Sequence, residues 1–449
     1  MKKRAIIIPS NTDLNRGDQA LVWESIRLVE DVYGKSNIEC ILMGDLYSND
    51  SVMQNRQTDA LGYKMIDTLL KHPGRKFSTK NKDSKSYSTL TMLQWGGQAV
   101  IDYCCSRMML SSSSIIRRIG KVFLSKSEKE AFETIKSADA VFVKGGGFIH
   151  SYGAVTDPYF IYYLTYAIRV AEVLGKKVIM LPNSIGPLKN SMASNIAINC
   201  LKKCSMVTVR ENISKKCLDD NGVTSMLFPD LGFFLTPTDR DMDNYLENCG
   251  VPLDKKKVVI TLRPYRFQGF ENPSELFQNY IDGVQNLVDY LVERDFHVTF
   301  MAHTLGPSSH ENDSLAIKEV MKHLSKETLS HVSFIEDFDL NCRDVEKIYS
   351  YYDYMIGTRF HSVIFALNVK VPSIAIAYGG NKGKGIMSVL GNDEYSTDMD
   401  KIHRNTLVDM FKKLEANRDV YLSNLNQKHN VIDKERQKFV EEIRKVLEV

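Results

Sequence analysis

This sequence lacks the features that mark secreted, membrane-spanning and nucleic-acid-binding proteins. Its eight cysteines are scattered over 449 residues without paired spacings, so a disulfide framework is not indicated. The formal net charge of only +3 gives no electrostatic reason to expect a nucleic-acid partner. No apolar run is long enough to cross a bilayer, and the one near the N-terminus is too short for a signal peptide. We therefore expect a cytoplasmic protein.

Motifs for metals and dinucleotides are also missing. Cys200 and Cys204 are spaced to share one face of a helix, but no second pair of metal-type ligands follows nearby. Reduced, structural thiols are therefore favoured over a zinc site. The first predicted strand-to-helix turn lacks the G-x-G-x-x-G spacing of dinucleotide-binding proteins. The sequence predicts neither a metal nor a cofactor.

Short apolar, β-branched segments alternate with helical patterns along most of the chain, as in parallel sheets covered by helices on both faces. A polar stretch from Thr236 to Asp254 divides these segments into two series. We predict an α/β fold with two Rossmann-like domains facing a crevice, residues 1–240 and 241–404, and a C-terminal helical segment, 405–449, that returns to brace the first domain. The predicted strands are Ala5–Pro9, Glu39–Met43, Ala138–Val143, Lys177–Leu181, Met206–Val209, Ser225–Phe228, Lys257–Leu262, His297–Met301, Val332–Ile335, Tyr354–Ile356 and Ser373–Ala377.

The alternation stops in an insertion at about residues 71–137. Six Lys or Arg residues crowd a Ser-rich stretch between Lys71 and Lys85, and Trp, Met and Ile interleaved with further basic residues follow as far as Phe123. Two interpretations remain open. The insertion forms an interfacial membrane contact, or it is a loop with helices packed on the domain flank. The second is favoured because exposed Trp and Met also serve as ordinary packing groups.

The most informative segment is Gly357-Thr358-Arg359-Phe360-His361-Ser362. A buried strand is predicted before it and a helix after it, so Arg359 and His361 lie on a strand-to-helix turn. In open α/β sheets such turns face the ligand at the carboxyl ends of the strands. A guanidinium grips carboxylate or phosphate with two donors, and an imidazole moves protons near neutral pH. The pair suits a small anionic substrate, although a structural ion pair and a helix cap would use the same residues.

Other predicted turns carry glycines, capping residues or cations. In the first turn, Asp18 is predicted to cap a helix that begins at Gln19, and Gly17 permits a tight approach. The run Gly145-Gly146-Gly147 is predicted to expose backbone N–H groups to an anion at a helix start. Later strand ends carry Arg210, His303 and, in the loop after Tyr378, Lys382. Together these turns favour a ligand that bears phosphate or carboxylate.

In their order along the chain, these motifs resemble those of the polysaccharide pyruvyl transferase family. The resemblance covers most of the chain, and the ordered set is far more specific than any single motif. The chain departs from the family at Phe360, where Leu is common, and in its longer, more basic insertion, which bears on the acceptor site. The matching pieces are Asn15-x-Gly17-Asp18, Gly145-Gly146-Gly147, Ile185-Gly186-Pro187, Arg210 with Ser214, Pro229-Asp230, Arg359-Phe360-His361-Ser362, and Tyr378 with Lys382 and Gly385.

The resemblance implies a fold similar to GT-B glycosyltransferases. It also implies transfer of a pyruvyl group from phosphoenolpyruvate to two hydroxyls of a glycan or lipid-linked sugar, which gives a cyclic ketal. Arg210 and Arg359 are assigned to the two anionic groups of the donor, and His361 to proton transfer or to the phosphate. The remaining predicted substrate-binding residues are Phe360 (through its backbone), Lys382, Gly145, Gly146, Gly147, Asn15, Asp18, His303 and Tyr378.

Two alternative functions use the same residues. A nucleotide-sugar-dependent glycosyltransferase or epimerase on the same fold would bind a diphosphate at the turns of the second domain. A non-catalytic protein that binds anions or sugars would keep the cations without needing His361 to titrate. If the acceptor is lipid-linked, we expect peripheral contact with the inner face of the membrane.

Overall fold

The structure is a computed structural model that describes residues 2–10, 12–48, 50–71, 88–308, 311–378, 387–388 and 390–449. The chain divides into two compact units. The main division falls between Asp230 and Leu231, ten residues before the predicted boundary, and the predicted C-terminal segment 405–449 is shared between the units. Unit 1 comprises Met1–Asp13, Leu21–Asp230 and Gln437–Val449, and unit 2 comprises Leu14–Ala20 and Leu231–Arg436.

Unit 1 is built on a parallel sheet. Its strands are β1 Lys3–Ile8, β2 Ile38–Gly44, β3 Lys64–Asp67, β4 Ala140–Val143, β5 Gly146–Ser151, β6 Lys177–Leu188, β7 Met206–Val209 and β8 Met226–Leu227. The strand order is β3-β2-β1-β4-β6-β7-β8, and β5 pairs with β6. Strand β4 and the Ala5–Ile8 part of β1 are apolar on both faces and buried, because helices cover the sheet on both sides.

The helices of unit 1 follow its strands in the βα rhythm that the sequence predicts. The first turn of α1 is counted with unit 2, and the rest of the helix with unit 1. The helices are α1 Arg16–Tyr33, α2 Ser51–Asp59, α3 Thr89–Met109, α4 Ser114–Gly120, α5 Lys126–Ser137, α6 Asp157–Val173, α7 Ser191–Leu201 and α8 Asn212–Asp219, with a 3₁₀ turn at Lys121–Phe123.

Unit 2 is built on a second parallel sheet. Its strands are β9 Lys257–Thr261, β10 His297–Met301, β11 Val332–Ile335, β12 Tyr354–Gly357, β13 Ser373–Ala377 and β14 Ser396–Asp398, in the order β11-β10-β9-β12-β13-β14. Its helices are α9 Asp243–Asn248, α10 Pro273–Val292, α11 Ser314–His323, α12 Lys326–Leu329, α13 Cys342–Tyr349, α14 Phe360–Asn368, α15 Thr406–Ala416 and α16 Arg418–Leu447. The last turns of α16 are counted with unit 1. The predicted fold class, two parallel-sheet α/β domains, is confirmed.

Every predicted strand corresponds to an observed one, and three observed strands were not predicted. These three are β3, β5 and β14. Each departs from the pattern of a buried parallel strand: β3 and β14 are short and largely polar, and β5 begins with glycines. Apolar continuity therefore identified the centres of both sheets and failed for strands that lack it.

The C-terminal segment is two helices, α15 and α16, that meet at Asn417. The last part of α16 packs on unit 1 through an aromatic stack and a cationic cap. The rings of Phe439 and Phe228 lie 4.3 Å apart. Arg444 donates hydrogen bonds to the carbonyl oxygens of Val32 and Asp31, at the C-terminal end of α1. A cation at that position also complements the helix dipole.

The insertion contributes three helices, α3, α4 and α5, to unit 1. The C-terminal end of α3 is fixed to α6, since Ser106 Oγ lies 2.7 Å from the Tyr162 hydroxyl and Met109 is buried. Among the described residues, no helix combines the length and apolar character needed to cross a membrane. The basic stretch predicted between Lys71 and Lys85 lies, apart from Lys71 itself, outside the described residues.

Candidate active site

The turn between β12 and α14 carries the predicted Arg-Phe-His motif in unit 2. Gly357 ends β12 where a side chain would not fit, because a Cβ there would lie 2.6 Å from Val363 Cγ2. Ser362 fixes the turn, since its hydroxyl lies 2.7 Å from Thr261 Oγ1 and donates to the Arg359 carbonyl at 2.6 Å. Arg359 is thus held just before the first turn of α14, and His361 within it.

Arg359 is buried and forms an ion pair with Asp313. Its Nε and Nη2 lie 2.8 Å and 2.7 Å from Asp313 Oδ1, and Nη2 also donates to the Glu311 carbonyl at 3.2 Å. The other carboxylate oxygen accepts the backbone N–H groups of His303 and Thr304. Arg359 is therefore largely shielded from solvent, and only 8% of the residue is exposed.

Burial and charge act in opposite directions on this ion pair. Burial raises the pKa of the Asp313 carboxyl, and the positive charge of Arg359 partly offsets that effect. Burial is the largest influence on the pKa of Arg359 and tends to lower it, but the charge and hydrogen bond of Asp313, together with the charges of Tyr378 and Glu311, make the net shift upward. Each group favours the charged form of the other inside the protein. Removing either one alone would leave an unpaired buried charge and destabilise the fold.

His303 lies beside this pair at the end of β10. Its Nδ1 is 3.2 Å from the Tyr349 hydroxyl, and Nε2 has no hydrogen-bond partner among the described residues. Burial, followed by the positive charges of His361, Arg359 and Arg16, lowers the pKa of His303 well below its usual range. The imidazole is therefore neutral at physiological pH, and it adds a hydrogen-bonding atom to the site without adding charge.

The start of α1 belongs to the same unit and is capped by Asn15. Asn15 Oδ1 accepts the backbone N–H groups of Gly17 and Asp18 at 3.1 Å and 3.3 Å, and its Nδ2 donates to Asp18 Oδ2 at 2.8 Å. The prediction that Asp18 caps a helix starting at Gln19 was wrong, because the helix begins at Arg16. The cap is Asn15, three residues earlier, and the Asp18 carboxylate accepts a hydrogen bond from its side-chain amide.

The first turn of α1 abuts the histidine of the Arg-Phe-His motif. Asn15 forms a β-bridge with Thr304, and the Arg16 N–H donates to the His303 carbonyl at 3.2 Å. A Cβ at Gly17 would lie 2.4 Å from both Cβ and Nδ1 of His361. Gly17 is therefore required by close approach to the imidazole, and the N-termini of α1 and α14 meet at this point.

Arg16 is a site residue that sequence reasoning missed. It is 2% exposed, and its Nη2 donates to the Asp337 carbonyl at 3.1 Å. A cation at the first position of a helix opposes the helix dipole, so a structural role there is disfavoured. This mismatch could have identified Arg16 from the sequence, but the predicted helix began three residues later, at Gln19. Arg16, His303, Arg359 and His361 together surround two helix N-termini, an environment that favours an anion.

Two of the remaining predicted residues of unit 2, Tyr378 and Phe360, lie among the described residues, and Lys382 does not. The charge of Tyr378 contributes to the pKa shift of Arg359, so this tyrosine lies near the motif. Arg263 stacks over the Tyr378 ring at 3.8 Å. Phe360 is half-buried, with its ring 6.5 Å from that of His361. Lys382 lies outside the described residues, as does Gly385.

Unit 1 brings together the other motif pieces around Arg210. This arginine is buried, with Nε donating to Ser184 Oγ at 2.8 Å and Nη1 paired with Asp230. Ser214 Oγ accepts the Ile185 N–H at 2.7 Å, which ties the turn after β7 to strand β6. The predicted motifs around residues 184–187, 210–214 and 229–230 therefore meet at the carboxyl edge of the first sheet.

Comparison with known proteins agrees with this order of motifs. A family model described as "Polysaccharide pyruvyl transferase" matches residues 15–380, well over half of the chain. The chain belongs to the polysaccharide pyruvyl transferase family. A curated relative is the amylovoran biosynthesis protein AmsJ of Erwinia amylovora, 22% identical over 284 residues. That alignment covers 62% of this chain and 65% of AmsJ, less than two thirds of its length.

Solved structures of low identity share the fold. UDP-GlcNAc 2-epimerase from Neisseria meningitidis, bound to UDP-GlcNAc, is 10% identical with a TM-score of 0.57, over 99% of this chain and 100% of that one. A UDP-N-acetylglucosamine 2-epimerase from Listeria monocytogenes is 13% identical with a TM-score of 0.55, over 95% and 91%. UGT73P12 of Glycyrrhiza uralensis is 7% identical with a TM-score of 0.56, over 100% and 96%. The pyruvyl transferase family member thus shares its fold with GT-B-type enzymes.

In this family member, the run Gly145-Gly146-Gly147 does not start a helix. Gly146 opens strand β5, and the next helix begins at Asp157, so the predicted helix start was wrong. Gly145 is needed where chains approach closely, since a Cβ there would lie 2.9 Å from the Pro182 carbonyl oxygen. Gly146 adopts a φ of +148°, which disfavours other residues. The run serves the pairing of β5 with β6, and anion binding by it stays a prediction.

The two cysteines spaced for a shared helix face lie beside a carboxylate. Cys200 is on α7 and Cys204 follows its end, with their Sγ atoms 3.6 Å and 3.7 Å from Glu172 Oε1. Burial raises the pKa of Glu172 to about 7. In the part of the chain that the structure describes, no group of three or more His, Cys, Asp or Glu side chains is placed to hold a metal ion.

Proposed function

We propose that this protein transfers a pyruvyl group from phosphoenolpyruvate to two hydroxyls of a glycan. The observation that carries the proposal is the convergence of Arg16, Arg359 and His361 on two helix N-termini in unit 2. Phosphoenolpyruvate carries one carboxylate and one phosphate, and two guanidiniums match two anions. Arg16 and Arg359 are proposed to bind these two anionic groups. The assignment of Arg210 to the donor stays a separate prediction.

The proposed reaction assigns a proton transfer to His361. Protonation of the methylene carbon of phosphoenolpyruvate makes C2 electrophilic, and the first hydroxyl oxygen forms a bond to C2. The bond between C2 and the phosphate oxygen then breaks, and the second hydroxyl closes the ketal ring. The two hydroxyl protons end on the new methyl group and on the released phosphate. A positioned acid of this kind contributes typically about 10²–10⁴-fold in rate.

Asp313 is proposed as a positioning residue for Arg359. It holds the guanidinium through Nε and Nη2, while two backbone N–H groups fix the carboxylate itself. A preorganised cation stabilises charge that develops on the phosphate without reorganising during the reaction. His303, kept neutral by burial and by the neighbouring cations, is proposed to offer Nε2 to a substrate hydroxyl.

The test is incubation of the purified protein with phosphoenolpyruvate and a panel of glycans, including bacterial exopolysaccharide repeat units. We expect phosphate release that depends on the glycan, and a product that contains a ketal methyl group by NMR. The control is the His361→Gln variant under the same conditions. Turnover of a UDP-sugar without use of phosphoenolpyruvate would overturn the proposal in favour of a nucleotide-sugar enzyme. Stabilisation by sugars or anions with no turnover of either donor would favour a binding protein.

A further inference from the structure

The solvent-facing side of α3 is apolar. Leu90, Leu93, Val100 and Ile101 recur at spacings of three, seven and one, so they line one side of the helix. Leu93 and Ile101 are 68% and 58% exposed. The opposite side, through Ser106 and Met109, packs on the unit. An ordinary surface helix carries its charges on the solvent side, whereas the only charged residues on α3 are Asp102 and Arg107.

The neighbouring helix extends this apolar surface. Gly120 at the end of α4 abuts α3, since a Cβ there would lie 2.8 Å from Met108 Cβ. On α4 and the 3₁₀ turn that follows it, further large apolar side chains are exposed to solvent. The insertion face, as we call the combined surface, consists of Leu90, Leu93, Val100, Ile101, Ile115, Ile119, Val122 and Phe123. Exposed apolar groups gathered on two adjacent helices mark an interaction surface.

The charge around the insertion face is positive. Residues 88–126 contain Asp102 as their only acidic residue, against Arg107, Arg117, Arg118, Lys121 and Lys126. These 39 residues therefore have a net charge of +4, while the whole chain has a net charge of only +3. The remainder of the chain is therefore net negative. Arg107 on α3 and Arg118 on α4 are both exposed to solvent.

We propose that the insertion face docks on a lipid surface with anionic headgroups. Apolar side chains enter the boundary between headgroups and acyl chains, and basic residues at the rim attract anionic lipids. A second copy of this chain fits the face less well, because two positively charged rims would repel each other. Docking would also bring the protein to a lipid-linked saccharide, and only that consequence rests on the proposed function.

The test is flotation of the full-length protein with vesicles of equimolar phosphatidylglycerol and phosphatidylcholine, without any substrate. We compare Leu93→Ser/Ile101→Ser with the matched control Val420→Ser/Val431→Ser, whose valines are 61% and 57% exposed on α16. We expect vesicle partitioning of the first variant to fall at least about tenfold, because two apolar side chains would no longer be buried in lipid. The control is expected to bind like the wild type. Because all four positions are exposed, every variant should keep its fold, which circular dichroism checks.

The charge contribution is tested by Arg107→Gln/Arg118→Gln and by salt. We expect about fivefold weaker partitioning for each charge removed, equivalent to about 1 kcal/mol per charge, and less difference at high salt. Absence of vesicle binding, or equal binding by the Leu93/Ile101 variant, would overturn the proposal. A wild-type dimer in sedimentation velocity that Leu93→Ser/Ile101→Ser dissociates, without vesicle binding, would assign the face to a second copy. Failure of pyruvyl transfer would leave this result unaffected.

Discussion

Each unit holds one buried arginine–aspartate pair at the carboxyl edge of its parallel sheet, and the two pairs differ in their neighbours. In unit 1, Arg210 is paired with Asp230 and with the Ser184 hydroxyl. In unit 2, Arg359 is paired with Asp313, and the cluster also includes Arg16 and two imidazoles. The side chains of Arg210 and Arg359 are 3% and 9% exposed.

Under the proposed function, this difference separates an ion pair that only stabilises the fold from one that also serves the reaction. A guanidinium is positively charged at any physiological pH, so its presence at a strand end says little about chemistry. What unit 2 adds is an imidazole, His361, which lies against Gly17 in the first turn of α1, next in sequence to Arg16. The described hydrogen-bond and ion-pair partners of Arg210 are the Ser184 hydroxyl, the Asp230 carboxylate and the Asn183 carbonyl, with no imidazole among them.

The largest effects are expected from breaking each pair. Arg359→Ala leaves Asp313 buried without its counter-charge, and Arg210→Ala does the same to Asp230. Each should lower the free energy of unfolding by about 3–5 kcal/mol, measured by urea denaturation. A loss below about 1 kcal/mol for either variant would mean that the aspartate finds another partner or becomes neutral.

Apolar double variants separate stability from function in the same comparison. Arg359→Met/Asp313→Leu and Arg210→Met/Asp230→Leu remove both charges, so most of the lost stability should return. We expect the unit 2 double variant to stay inactive and to lose stabilisation by phosphoenolpyruvate in thermal melts. The unit 1 double variant is expected to keep at least about a tenth of the wild-type activity, a loss under about 1.4 kcal/mol. Equal inactivation would instead support the sequence-based assignment of Arg210 to the donor.

The next effect concerns His361, whose imidazole has no counterpart among the described partners of Arg210. His361→Gln keeps the size and a hydrogen-bonding group but removes the acid. We expect kcat for phosphate release to fall by about 10²-fold or more, with phosphoenolpyruvate still stabilising the protein. The control is His403→Gln, an exposed histidine of unit 2. Wild-type turnover by folded His361→Gln protein would remove this residue from the mechanism.

The fold could be predicted from the sequence where its physical signal is local. Strands such as Lys257–Thr261 are continuous apolar runs because both faces of the sheet are covered. Strand Gly146–Ser151 was missed because glycines are equally typical of turns. Its place depends on pairing with a strand more than thirty residues later along the chain, and a single sequence does not encode that contact locally.

The site could be predicted in part for the same reason. Strand-to-helix turns placed Arg359, His361 and Arg210 at the carboxyl ends of strands, whereas the burial of the two arginines was not predicted. Asp313 was missed because it follows β10 by a loop, and only tertiary packing places it beneath Arg359. Asn15 and Asp18 both suit a helix cap, so spacing alone could not decide where α1 begins.

A smaller effect tests the contact between α1 and His361. Gly17→Ala places a methyl group 2.4 Å from the imidazole, so His361 or the helix must shift. We expect a loss of about 1–3 kcal/mol in stability and a fall in kcat that exceeds any change in the KM for phosphoenolpyruvate. The control is Gly96→Ala on α3, where nothing lies within 4 Å of the added methyl group. That change should stabilise by about 0.5–1 kcal/mol.

The last effect is a dependence of unit 2 stability on pH. Burial lowers the pKa of His297 and of His429 to about 4, from 6.5 in the unfolded chain. Above pH 6.5 both states are neutral, whereas below it the unfolded state takes up a proton that the folded state refuses. The free energy of unfolding should therefore fall by about 1.4 kcal/mol per pH unit per histidine as pH drops toward 4.

Replacing one of these histidines should remove its share of that acid sensitivity. His429 lies against the Phe233 ring, at 6.2 Å between centroids, so His429→Leu keeps an apolar contact there. We expect the slope of unfolding free energy against pH to decrease by about 1.4 kcal/mol per pH unit in the variant. Urea unfolding at a series of pH values, followed by hydrogen exchange in unit 2 peptides, measures this slope. The exposed His403→Gln variant should keep the wild-type slope, and an unchanged slope in His429→Leu would show that His429 already titrates normally in the folded protein.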